Sequence, residues 1–300
     1  MSRPKKLIQF YLTNLCNSHC KTCSIWKNDV QEEIPLEKVI EIINQFPEAD
    51  YVFGGGEFTL YSKKDELLTY CDENDINYTV LSNAVDVMLL SKLIDRHEIK
   101  NLTISCDGIR HDNIRGSVGN LANIRYIVNT YRSKIPNIKI SYTLSSYNAN
   151  CRDLDMDMFK ELGFDKIYFC IAQDMDLLKV KGDTSIEPDE MALKDFYNKH
   201  WDMLYDKDVQ LLDDMIHKRF RTCDSTQSVH TIYSNGNVVR CQSILSKNVI
   251  GNIHEELFSN ILEKDRHTYI EDVKKNDTHC PYEETCKLVC QRRYDYEDRV

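Results

Sequence analysis

Eight of the 12 cysteines crowd into two stretches, three between residues 16 and 23 and five between residues 223 and 290. Thiolates grouped in this way hold zinc or the irons of an iron–sulfur cluster. Disulfides are the other use of so many thiols, and they belong to oxidising compartments. The first group, Cys16-Asn17-Ser18-His19-Cys20-Lys21-Thr22-Cys23, has the spacing C-x3-C-x2-C. Such short spacings let three thiolates converge on one cluster from a single loop, whereas zinc more usually meets paired C-x2-C modules. A [4Fe–4S] cube normally takes four cysteines, so three leave one iron open to a small molecule. Cys71, Cys106, Cys151 and Cys170 occupy the long middle of the sequence.

The elements that must carry the first group are short β-like runs alternating with helical periods. Strands are expected over Leu7–Leu15, Tyr51–Gly54, Tyr78–Ser82, Leu102–Asp107, Ile138–Ser145 and Lys166–Ala172. Leu36, Val39, Ile40 and Ile43 fall at i, i+3, i+4 and i+7 of a helix, with Pro35 suited to its first position. Ser62 with Asp65 resembles a capping box ahead of Leu67 and Leu68. Alternation of this kind means βαβ units and a parallel sheet. Six repeats form a partial (β/α)6, TIM-like barrel of α/β class, and right-handed crossovers gather the strands' C-terminal ends at one mouth. A helix over Glu190–Lys207 would close this region.

Past residue 210 the pattern changes. His230–Cys241 holds Asn235-Gly236 between two strand-like runs, a hairpin signal, and a helix around Glu255–Lys264 precedes a cysteine-bearing tail. The expected organisation is a barrel over 1–210 and a small cysteine-rich domain over 211–300.

With its triad directly after the first strand, the sequence resembles the radical S-adenosylmethionine (SAM) superfamily. The resemblance implies that Cys16, Cys20 and Cys23 hold a [4Fe–4S] cluster whose open iron chelates SAM. It also implies that an electron cleaves SAM to a 5′-deoxyadenosyl radical, which abstracts a substrate hydrogen. Gly54-Gly55-Gly56-Glu57 is similar to the family's GGE motif, whose backbone meets the methionine amino group. Ser105-Cys106-Asp107-Gly108 followed by His111-Asp112-Asn113-Ile114-Arg115-Gly116 resembles the S-x-D-G…R-G stretch of members with auxiliary clusters. By that analogy Ser105 and Ser141 contact SAM and Asp107 faces the substrate. Period-2 alternation puts Cys106 on the opposite face from Ser105 and Asp107. Thr22 stands where the family often has an aromatic residue whose backbone meets the adenine.

Cys223, Gly236 and Cys241 are spaced like the opening of SPASM and twitch domains, and Cys280, Cys286 and Cys290 like the SPASM tail. Asp277 takes the place of that tail's first cysteine, and a final downstream cysteine is absent. Five thiols suffice for one auxiliary [4Fe–4S] cluster. Two would need Asp277, His217 or an exogenous ligand, and a structural zinc is the competing occupant.

The net charge of -10 argues against a surface that tracks nucleic-acid phosphates. No apolar run spans a bilayer, and the N-terminus lacks signal-peptide features, so a cytoplasmic protein is expected. The implied activity is hydrogen abstraction leading to dehydrogenation or epimerisation, with Asp107, Cys106 and Cys170 as candidate catalytic groups. A flavodoxin or ferredoxin is the expected electron donor. The triad begins sixteen residues into the sequence, with no peptide-recognition domain ahead of it, which favours a small polar metabolite of the sugar or aminocyclitol type. The alternatives are maturation of a ribosomal peptide, giving an epimer or cross-link, and a non-catalytic iron–sulfur electron carrier.

Overall fold

The computed structural model describes residues 6–172, 186–217, 229–239 and 249–265. The five C-terminal cysteines that resemble cluster ligands, and Asp277, lie outside them.

Six parallel strands follow one another in the order expected: β1 (Leu7–Thr13), β2 (Asp50–Gly55), β3 (Tyr78–Ser82), β4 (Asn101–Ser105), β5 (Asn137–Leu144) and β6 (Tyr168–Ile171). The connections carry α1 (Leu36–Gln45), α2 (Lys64–Glu73), α3 (Val87–Arg96), α4 (His111–Arg115), α5 (Asn120–Tyr131) and α6 (Arg152–Glu161). This is the partial (β/α)6 barrel. Alternation along the strands explains its two faces. Ile8, Phe10, Phe53, Val80, Ile104, Ile140, Tyr142 and Phe169 enter one core with helix residues such as Val39, Leu67, Leu90, Ile124 and Phe159. The residues between them, among them Thr79, Ser105, Ser141 and Cys170, face the lumen, and most of them are polar.

A ladder of polar side groups crosses the strands at the lumen's N-terminal end. Asn77 donates to Asp50 at 2.5 Å, Asn101 to Asn77 at 3.4 Å, and Asn137 to Asn101 at 2.9 Å.

Three local expectations change. Pro35 precedes α1 as its extended N-cap residue rather than opening the helix. Ser62 does not cap α2, because its hydroxyl donates to Glu33 and the helix begins after Lys63. The helix expected over Glu190–Lys207 is two helices, α7 (Glu190–His200) and α8 (Asp206–Ile216). Between them Met203 and Leu204 are buried, and the Met203 carbonyl accepts from Ile167 N–H at 2.8 Å. Extending the β6 edge there wins over continuing the helix.

The Asn-Gly hairpin forms. β7 (Val229–Ile232) and β8 (Asn237–Val239) are antiparallel, and Gly236 turns at φ +82°. β9 (Val249–Asn252) pairs with β8. β7 hydrogen-bonds in parallel to β1, so the hairpin extends the barrel's own sheet into nine strands.

Candidate active site

The cysteine loop leaves the C-terminal end of β1 and is pinned on two sides. On one side, Gly56 N–H donates to the Thr13 carbonyl at 2.7 Å and Glu57 N–H to the Leu15 carbonyl at 2.8 Å. A Cβ on Gly55, at φ +135°, would run into the Thr13 carbonyl, and one on Gly56 into the Leu15 carbonyl. Glycine here serves close backbone approach. Gly54 precedes them inside β2. On the other side, His19 N–H donates to the Arg115 carbonyl at 3.0 Å and Lys21 N–H to the Ile114 carbonyl at 2.9 Å. Gly116 makes that contact possible at φ +63°, since a Cβ would lie 2.8 Å from the His19 carbonyl.

Glu57 ties the mouth together from inside. Its Oε1 accepts from Thr59 N–H, the Thr59 hydroxyl and the Ser82 hydroxyl, and its Oε2 from Asn83 N–H at 2.7 Å. Burial pushes its pKa up, while these four donors pull the other way. The carboxylate is thus spent on loop structure.

Each triad sulfur has its own donor. The Ser18 N–H and the Asn83 amide, 3.8 Å away, approach Cys16; Ile25 N–H lies 3.5 Å from Cys23; the Arg115 guanidinium reaches Cys20. Trp26 Nε1 braces the loop by donating to the Cys23 carbonyl at 2.8 Å and the Cys20 carbonyl at 3.3 Å. Burial pushes Cys16 up to about 12 and Cys23 to about 11, so thiolates there need a positive charge to hold them. Among the described residues no three His, Cys, Asp or Glu side groups stand close enough together to hold a single metal ion. Thiolates on a cube bind separate irons and stand farther apart than ligands of a single metal. One loop with three thiols, N–H donors at each sulfur and a neighbouring cation therefore fits an iron–sulfur cluster.

Asp107 does not face a free substrate space. It is 1% exposed and accepts from Arg115 Nε at 2.6 Å and Nη2 at 3.0 Å. Cys106 packs in the core with no exposure, which removes it from reach of any substrate. Ser105 and Ser141 stand opposite each other on β4 and β5, half-buried on the lumen side. Cys170 is half-buried on the same wall, its sulfur 3.9 Å from Ser141 Oγ. Thr22 is buried within the loop. Sequence reasoning missed Asn83 and Arg115 as site residues; the Arg-Gly pair in the motif was the available signal for the second.

Family models match both ends of the sequence: one described as the radical SAM superfamily covers residues 10–144, and SPASM, an iron–sulfur cluster-binding domain, covers residues 223–291. The chain belongs to the radical SAM superfamily. Its cofactors are accordingly SAM and [4Fe–4S] clusters, the second cluster region being the SPASM domain. A comparison with curated proteins finds no match. Among solved structures, the fold is similar to anSMEcpe with bound AdoMet, at TM-score 0.67 and 20% identity, over 97% of this protein and 86% of that one. It is also similar to Streptococcus suis SuiB bound to precursor peptide SuiA, at TM-score 0.67 and 15% identity, over 86% of this protein and 64% of SuiB. No described helix of this radical SAM protein is long and apolar enough to cross a membrane.

Proposed function

We propose that this radical SAM enzyme modifies a ribosomally made peptide, abstracting hydrogen from a C–H bond at a Cα or farther out on a residue. The extent of the fold likeness carries the reading. Over 97% of its length the protein follows anSMEcpe, solved with a bound Cp18Cys peptide, and over 86% it follows SuiB, solved with its precursor peptide. The small polar metabolite, first in the sequence reading, becomes the alternative.

When bound, the reduced cluster and SAM supply the hydrogen-abstracting chemistry. In this proposal Cys16, Cys20 and Cys23 hold the cluster, and Cys223 and Cys241, joined by two of Cys280, Cys286 and Cys290, supply the four ligands of the auxiliary cluster. The backbone of Gly54, Gly55, Gly56 and Thr22, with the Ser105 and Ser141 hydroxyls, would bind SAM's polar groups. Glu57 keeps the glycine loop in place through Thr59, Ser82 and Asn83. Asp107 acts through Arg115 as a positioning residue. Cys170 is the lumen-facing thiol that would return a hydrogen atom to the substrate carbon, giving an epimer and leaving a thiyl radical that takes up one electron from the external donor and one proton to restore the thiol. A flavodoxin or ferredoxin would supply the electron.

The test is deuterium transfer into 5′-deoxyadenosine by the reduced holoenzyme. Uniformly deuterated peptides should label it, and deuterated sugars or aminocyclitols should not. Label arriving from a sugar and from no peptide would return the metabolite reading to first place.

A further inference from the structure

The lumen wall built by β5 and β6 carries a cation that the cofactor site leaves unused. Ile140, Tyr142 and Leu144 enter the helix-covered core, so Lys139 projects to the lumen with Ser141 and Thr143. Above the Asp50–Asn137 ladder, Lys139 is the only charged residue at a lumen-facing position of β1–β6 among the described residues. Its Nζ donates to the Tyr168 hydroxyl at 2.7 Å and lies 4.9 Å and 5.5 Å from the ring centres of Tyr168 and Tyr205. Those two rings are 4.8 Å apart. Among the described residues no carboxylate pairs with this ammonium, although Arg115 and Arg152 each have one and Lys199 has two.

A half-buried cation is costly unless it is paired, and aromatic faces offset only part of that cost. An ammonium has three N–H donors, and the phenol takes one. The two rings shield one side from water, which strengthens attraction to any anion arriving from the other. One register step along the same wall stand Ser141 Oγ and Cys170 Sγ, 3.9 Å apart. A group anchored at Lys139 therefore keeps the rest of its molecule against the wall that carries the candidate hydrogen-donor thiol.

We propose that Lys139, collared by Tyr168 and Tyr205, is a subsite for a carboxylate on the substrate, namely an acidic residue of the peptide. The inference rests on the peptide reading above, and its test separates the two. Equilibrium dialysis of the oxidised holoenzyme would use the blocked tripeptide Gly-Glu-Gly, its Gly-Gln-Gly twin, N-acetylglutamate and SAM. The wild type should hold the glutamate tripeptide about tenfold more tightly than its twin. Lys139→Gln should abolish that preference, Lys139→Arg should keep it, and SAM binding should stay unchanged in both. Equal binding of the twins to the wild type, or an undiminished preference in Lys139→Gln, overturns the subsite. Loss of SAM affinity in Lys139→Gln with the tripeptide preference intact assigns the ammonium to SAM's carboxylate and overturns it as well. A Lys139-dependent preference for N-acetylglutamate, with no deuterium transfer from any peptide, keeps the subsite and sinks the peptide reading instead.

Discussion

Arg115 grips both carboxylate oxygens of Asp107 and extends the same guanidinium to Cys20. Burial alone would weaken the Arg115 cation, yet Asp107 and Cys20 push its pKa up, so the charge stays beside the cysteine loop. The backbone of the same residue accepts from His19. One residue thus links the fourth strand's acidic turn to the cluster loop by charge and by main-chain hydrogen bonding.

Breaking a buried ion pair costs about 3–5 kcal/mol, because the remaining charge is left unpaired. Arg115→Met should destabilise the protein by that order in urea unfolding and lower the iron retained after anaerobic reconstitution. Adding Asp107→Asn should recover part of the stability and little of the iron, since the asparagine cannot replace the cation at Cys20. Wild-type iron loading in Arg115→Met would show that the pair does not hold the loop.

Replacing Cys16, Cys20 and Cys23 together by alanine should remove one cluster's worth of iron, about four atoms per molecule, and abolish 5′-deoxyadenosine formation. Replacing Cys223 and Cys241 should lower iron further while sparing some SAM cleavage. Cleavage surviving in the triple variant refutes the assignment of the triad, and unchanged iron in the double variant refutes the second cluster.

Gly56→Ala tests whether the glycine loop needs bare backbone. The added Cβ meets the Leu15 carbonyl, which belongs to the backbone and cannot swing aside. The loop and the first residues of the cysteine segment must shift together, at a cost above the roughly 1 kcal/mol typical of a glycine replaced where its conformation is required. Equilibrium dialysis should find SAM held about tenfold more weakly. Unchanged SAM affinity would place the cofactor's amino group elsewhere.

The barrel was legible because parallel strands under helices read as regular alternations, as in Tyr78–Ser82 and Asn137–Leu144. The triad was legible because its spacing is local. What the sequence hid is set by contacts across the fold. Asp107 seemed free because its partner, Arg115, comes from a separate helix turn eight residues on. Glu57 read as part of a SAM-binding motif, yet its carboxylate is consumed by Ser82 and Asn83, 25 and 26 residues away. The break after His200 followed from Met203 and Leu204 joining the β6 edge, a tertiary demand that overrides helix propensity. Alternation along β5 puts Lys139 on the lumen side, but its collar was hidden, because Tyr168 and Tyr205 come from β6 and the link just before α8.

His111 makes the motif acid-sensitive. Its Nδ1 accepts from Asp107 N–H at 3.1 Å, and burial together with the Arg115 charge lowers its pKa from 6.5 to about 4. The folded protein therefore resists a proton that the unfolded one accepts. Stability from this group is complete above pH 6.5 and declines as pH falls toward 4. The slope is about 1.4 kcal/mol per pH unit inside that window, so going from pH 7.5 to 5.5 should cost the wild type about 1.4 kcal/mol through His111. A glutamine can accept from Asp107 N–H without titrating. His111→Gln should therefore flatten the pH dependence of anaerobic urea unfolding by that amount while remaining folded at pH 7.5. If both proteins lose stability in parallel over this range, His111 is not the group that titrates.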